Sequence, residues 1–432
     1  ETEIGLMCSV PEVHSAEGRV WDRLFQSITG KSSAFLCRPT LGVECYREFS
    51  AAQLFAGIHS ALITRSLLPQ DSRIAPELEA SPFTRFNKSN TAIRLQLALS
   101  YFCVSPECTL DLHSFTSPAL DEEPTSHSFL ALYKPYFDEL ALLGEEFGQL
   151  KGLSAPFVES ASSYARARSV SPDGVIVKRA WEACLPQFGI PICHDETIHS
   201  RNPRPKRCNP LPRVISGDLP LSVRDEVLIQ WAAEGLILDA RAAEAYALRG
   251  FEHLIGVRVC EGRANRNLGG EQVIDAFFGK KGDVMALRHM SGSIHRLEPL
   301  GTARPITRIL LGDEIGEPVE FGWGAILFEN HLGGRVITLP FDGGTETLDS
   351  VQFHNYQRQH FLNQAIKWIA PSSPYVAAYQ TANVAVFWKE RGAETVLGLC
   401  NASHDAMPLS LIWRNMPAPS AIELISPDEF TG

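Results

Sequence analysis

The stretch RIAPELEASPFTRFNKSN, residues 73–90, places two glutamates, Glu77 and Glu79, one residue apart in a short apolar run that stops at Pro82. Acidic side chains are unwelcome inside an apolar strand, because burying an unpaired charge is expensive. The run is therefore either an edge strand with one wet face or a strand whose carboxylates take part in chemistry. Side chains alternate along a strand, so residues 77 and 79 share a face. The choice between these readings rests on the sheet to which the strand belongs.

The flanking sequence alternates strand and helix. Residues 3–9 (EIGLMCS), 33–37 (SAFLC), 73–80 (RIAPELEA) and 108–115 (CTLDLHSF) read as strands. Between and after them come helical patterns around Val20, Leu24 and Ile28, over residues 50–66, over 91–102 and within 126–150. Four βα units in a row imply a parallel sheet covered by helices. No glycine-rich phosphate loop follows any of these strands, which weighs against a dinucleotide-binding sheet. Polar residues gather just after each strand, at 9–19, 38–48, 77–89 and 111–117. A rim of that kind is what the active-site face of a (β/α)8 TIM barrel requires. The expected fold is α/β, beginning with the C-terminal half of such a barrel. The chain opens on Glu1 with residues that already read as structure, so the first four strands are expected from other polypeptide.

Composition narrows the function. The 432 residues exceed one compact core, and a net charge of -11 disfavours nucleic acid and anionic membrane as partners. No apolar run reaches the roughly 20 residues of a bilayer span. The ten cysteines lack a repeating spacing and sit mostly in apolar surroundings, as in AFLCRP and SYFCVS, which points to reduced thiols in the cytoplasm. Cys193, His194, His199 and Cys208 follow no regular zinc spacing, so neither a metal nor a cofactor is expected.

On the third βα unit, Glu79-Ala80-Ser81-Pro82 resembles the Glu-x-Ser/Thr-Pro segment that ends the seventh barrel strand of family 42 β-galactosidases and related clan A glycosidases. The wider PELEASPFTRFNKS also resembles the matching segment of the family 164 β-mannosidases. The resemblance implies a retaining exo-β-glycosidase acting on terminal β-D-galactosides or β-D-mannosides, with Glu79 as the covalent nucleophile. Its acid/base ends the fourth strand in those families, and that strand would precede residue 1. Glu12, Glu44 and Asp111 are geometric substitutes, but none sits in an Asn-Glu context. Among rim residues, Arg38 is placed to keep Glu79 ionised, since a nearby cation lowers a carboxylate's pKa. Glu77 is expected to orient its neighbours, Asp111 and His113 to bind hydroxyls, and Trp21 and His14 to line the sugar site, with Trp21 stacking on a pyranose face. Ser89 reads as a helix N-cap.

The remaining chain divides into three parts. Residues 152–205 read as a linker with some helix, so that residues 1–205 comprise the half-barrel and linker. An α/β pattern from Leu211 marks a second domain over residues 206–372, and it resembles the glutamine-amidotransferase-like domain through which family 42 enzymes form trimers. A homotrimer is therefore expected. The domain lacks a Gly-x-Cys-x-Gly elbow, so amidotransferase chemistry is not. A β-rich insertion spans about residues 263–330, and alternating residues 373–432 form a small β domain. The competing function is a non-catalytic carbohydrate-binding or assembly protein derived from such an enzyme.

Overall fold

The computed structural model describes residues 5–8, 11–16, 18–29, 36–41, 48–69, 72–79, 88–111, 124–162, 180–198, 210–264, 268–286, 293–312, 318–341, 353–403 and 405–430. The fold is mixed α/β. Its first part holds strands β1 (Gly5–Cys8), β2 (Leu36–Pro39), β3 (Arg73–Ile74), β4 (Glu77–Glu79) and β5 (Thr109–Asp111). Every pairing among them is parallel: β1 with β2, β2 with β3, and β4 with β5. The run around the two glutamates is split by Pro76, which has no amide to give the ladder. A parallel bridge from Thr40 to Glu77 spans the break. Among the described residues, β1 pairs only with β2 and β5 only with β4.

The helices of this part are α1 (Pro11–Ala16), α2 (Trp21–Thr29), α3 (Ala51–Leu67), α4 (Asn90–Leu99) and α5 (Pro124–Glu146). Ser50 and Gln53 form a reciprocal capping box at the start of α3. Ser89 caps α4 by accepting from the Ala92 amide and is itself held by Glu48. These helices cover one face of the strands. Ile74 and Leu78 pack with Phe55, Ile58 and Leu97. Cys8 and Cys37 pack with Trp21, Phe25 and Ile63. Each such buried side chain contributes about 1.5–3 kcal/mol of hydrophobic stabilisation.

A second sheet has seven strands. It contains β6 (Leu153–Ser154), β8 (Ile192–Cys193), β10 (Arg213–Ile215), β11 (Leu236–Leu238) and β20 (Arg335–Thr338), all parallel. Antiparallel β19 (Ile326–Glu329) and β16 (Arg304–Pro305) extend the β20 edge. In space the parallel strands run second, first, third, fourth, fifth in chain order, as in a doubly wound sheet. The sheet thus reaches back past Leu211 to Leu153, and β6 and β8 fall in the stretch read from sequence as a linker. Both strands are only two residues long, too short to show an alternation. The remaining strands in chain order include β7 (Phe157–Val158) paired with β9 (Thr197–Ile198), parallel.

Between β11 and β19 in the chain, β12 (Val257–Ala264), β13 (Leu268–Val273), β14 (Val284–Ala286), β15 (Ile294–Pro299), β17 (Thr307–Leu311) and β18 (Val319–Trp323) form a six-stranded antiparallel sheet that overlaps the stretch of about residues 263–330. Near the C-terminus two antiparallel pairs form, Tyr375–Tyr379 with Ser410–Arg414 and Val384–Arg391 with Glu394–Asn401. The second pair sits on the helices of the first part, with Ala385, Phe387 and Cys400 in the same core as Phe55 and Phe102. Lys389 is buried to 2 % exposure there; its ammonium donates to the Gly144 carbonyl at 2.7 Å and lies 5.0 Å from the Phe102 ring centre. No helix among the described residues is long and apolar enough to cross a membrane.

Helix α4 continues into a π-helical turn, Ser100–Val104, and α5 crosses it at Gly144. A Cβ at that position would stand 2.6 Å from the Tyr101 carbonyl oxygen and 2.8 Å from that of Phe102. Alanine usually stabilises a helix over glycine by about 1 kcal/mol. Here Gly144→Ala is expected to destabilise by about 1–3 kcal/mol, because two backbones must separate. Urea unfolding measures the difference, and an unchanged or raised midpoint contradicts the close approach.

Candidate active site

The strand face opposite the helices is polar. In-register pairing sets Met7 beside Arg38, Glu77 beside Thr109 and Glu79 beside Asp111. Thr40 bridges to Glu77 on the same face. Parallel strands place these side chains in rows, and the carboxyl-terminal strand ends gather Glu79 and Asp111 at one rim. Met7, at 67 % exposure, shows how open this face is among the described residues.

Glu77 is 2 % exposed, and its Oε1 accepts a hydrogen bond from Arg38 Nη2. The same Arg38 nitrogen lies 2.8 Å from Met7 Sδ. Glu79 stands one step nearer the rim and is partly exposed. Burial, followed by hydrogen bonding to and repulsion from Glu77, pushes its carboxyl up to about 7, against the opposing pull of Arg38 and Lys88. The sequence places Arg38 as the cation that keeps Glu79 ionised. The guanidinium is instead bound directly to Glu77, and its effect on Glu79 is the weaker one.

Lys88 directly precedes Ser89, the N-cap of α4. It is buried and donates from Nζ to the Glu79 backbone carbonyl at 3.1 Å, fixing the strand end. A lysine just before an N-cap gives no signal of this in the sequence, because the contact arises from the turn between strand and helix.

The other expected site residues separate into two groups. Asp111 is the in-register neighbour of Glu79 and partly exposed. Trp21 and His14 are on the opposite side of the strands. Trp21 is 0 % exposed, packs edge-on to His14 with ring centres 5.2 Å apart, and donates its amide to Glu159 at 2.7 Å. The ring has no open face for a pyranose, which corrects the stacking role expected of Trp21. His14 is likewise buried, with Arg19 at its Nδ1. Aromatic character decided both expectations, but at this place it supplies core packing. His113, Glu44 and the Ala80-Ser81-Pro82 part of the motif lie outside the described residues.

The Cys193-His194 pair is engaged elsewhere. His194 Nδ1 donates to the Ala155 carbonyl at 2.9 Å, and its Nε2 lies 3.0 Å from His59 Nδ1. Cys193 Sγ faces the Gly152 carbonyl at 3.6 Å. These contacts tie α3 to the second sheet.

No family profile and no curated protein matches the chain. Solved structures with a similar arrangement include a β-galactosidase from the psychrophilic Marinomonas ef1, with a TM-score of 0.42 and 12% identity over 84% of this chain and 60% of that one. Another is the polyextremophilic β-galactosidase of the Antarctic haloarchaeon Halorubrum lacusprofundi, with a TM-score of 0.34 and 8% identity over 84% of this chain and 68% of that one. The chain thus spans 60% of the length of the first of these relatives.

Proposed function

We propose that the protein is a retaining exo-β-glycosidase for terminal β-D-galactosides or β-D-mannosides, with Glu79 as its nucleophile. The observation that supports this reading is the placement of Glu79 at the carboxyl-terminal end of a parallel strand. There it stands partly exposed, in register with Asp111 and backed by the Arg38–Glu77 pair. In this mechanism ionised Glu79 attacks the anomeric carbon, and water later releases the sugar from the covalent intermediate. A second carboxyl about 5 Å away must protonate the leaving group. We assign that carboxyl to polypeptide that closes a (β/α)8 barrel against the outer edges of β1 and β5, which have no partner strand among the described residues, and assembly as a homotrimer to the doubly wound unit. Asp111 and His113 are proposed to bind sugar hydroxyls.

A second reading is a non-catalytic carbohydrate-binding or assembly protein. The raised Glu79 carboxyl favours it below neutral pH, since a neutral carboxyl binds hydroxyls without attacking carbon.

The reading is tested on the complete protein with an activated aryl β-glycoside. Glu79→Gln keeps the size of the side chain but removes the nucleophile, so turnover is expected to fall by several orders of magnitude, more than about 4 kcal/mol of barrier. In the wild type, kcat/KM is expected to rise with pH through about 7 as Glu79 loses its proton. Near-normal turnover by Glu79→Gln removes Glu79 as nucleophile, and a rate that falls through the same pH range marks it as a proton donor.

The raised carboxyl also acts on stability. Between the ordinary glutamate value of 4.5 and about 7 the folded state binds more protons than the unfolded one, so Glu79 lowers stability as pH rises through that window. Glu79→Gln removes this penalty. Its melting temperature is expected to exceed that of the wild type at pH 8 and to converge on it near pH 5. A difference independent of pH contradicts the raised carboxyl.

A further inference from the structure

We propose that Glu77, anchored by Arg38, is a positioning residue that holds Glu79 through a carboxyl–carboxylate hydrogen bond. This inference rests on the reading of Glu79 as the nucleophile and adds the device that controls when it becomes available. Glu77 Oε1 is taken by Arg38, whereas Oε2 is buried and has no hydrogen-bond partner of fixed charge among the described residues. A buried carboxylate oxygen left unbonded is unfavourable. The two glutamates lie on one face of β4, one step apart, with Glu79 in hydrogen-bonding reach of Glu77. Two ionised carboxylates have no donor to share, so the empty Oε2 is satisfied when Glu79 carries a proton.

Arg38 settles which carboxyl carries it. The guanidinium fixes Glu77 as the ionised member, so the shared proton resides on Glu79. Among the described residues, the charged groups facing this pair are Arg38 from β2, Lys88 from the segment before α4 and Asp111 from β5. Lys88 and Arg38 favour the ionised form of Glu79, while Glu77 opposes it more strongly. Below about pH 7 the free protein therefore keeps Glu79 protonated and oriented toward Glu77. Above that value the proton passes to solvent, and Glu79 is left as the carboxylate that attacks the anomeric carbon.

The test reads Glu79 directly in the complete protein, by titrating glutamate side-chain carboxyl carbons in NMR, with Glu79→Gln used for assignment. In Glu77→Gln the charge is lost and the amide donates to the Glu79 carboxylate, so the Glu79 titration is expected to move down by at least one pH unit. In Arg38→Gln the favourable cation is lost, and the titration is expected to move up. Shifts of opposite sign in the two variants support the inference, and the kcat/KM limb should move with them. A Glu79 titration unchanged in both folded variants overturns it, as does a shift of the same sign. Should Glu77→Gln fail to fold, an unmoved or lowered titration in Arg38→Gln overturns it alone. Opposite shifts in a protein with no glycosidase turnover leave the pair standing and remove the proposed function.

Discussion

A carboxylate at 2 % exposure must be paired, and at Glu77 the partner is Arg38 from the neighbouring strand. Removing one member of a buried ion pair strands the other and costs about 3–5 kcal/mol. The pair therefore fixes more than itself. It joins β2 to β4 across the point where Pro76 interrupts the ladder, and β4 in turn pairs in register with β5 to set Glu79 beside Asp111. Arg38 retains 33 % exposure, so the pair is buried on the carboxylate side and wet on the guanidinium side.

Parallel strands with helices on one face leave the opposite face for polar groups, and here that face is open among the described residues. The helical face does the packing. Trp21, Phe55 and Leu78 are fully buried there, while the C-terminal hairpin and the second sheet close over the outside of α3 and α4. His59 and Ser66 on α3 bond to His194 and Thr197. The helix that supports the candidate site is thus the same one that docks the second sheet. Within that sheet, Arg213 and Glu196 form a fully buried pair that also takes the Trp231 indole N–H at 2.7 Å. Glu77 in the first part and Glu196 in the second are thus both buried against an arginine, whereas buried Lys389 is held by the Gly144 carbonyl.

Much of the strand order was legible because apolar runs and helical spacing are local properties. The four strand runs of the first part, the N-cap at Ser89 and the antiparallel alternation of residues 384–403 and 409–415 all follow from such local patterns, whereas about residues 263–330 offer only short β-like runs. Long-range partnership was not legible. Nothing in ELEAS states that Arg38 binds Glu77 in preference to Glu79, since that depends on register across two strands. Trp21 carried an ambiguous signal, because an indole after a polar turn suits a sugar platform and a core equally. The two-residue strands at Leu153 and Ile192 are defined by their neighbours in the sheet, and their own sequence cannot reveal them.

Glu79 is the carboxyl proposed to bond to sugar carbon. A 2-deoxy-2-fluoro aryl β-glycoside slows the second step of a retaining reaction and leaves the sugar on the nucleophile, so peptide mapping by mass spectrometry of the complete, treated protein reads the answer. One added sugar is expected, on the peptide containing Glu79 and on that residue. A sugar on Glu77, on Asp111 or on any other residue contradicts it, as does turnover of the natural linkage with no residue labelled.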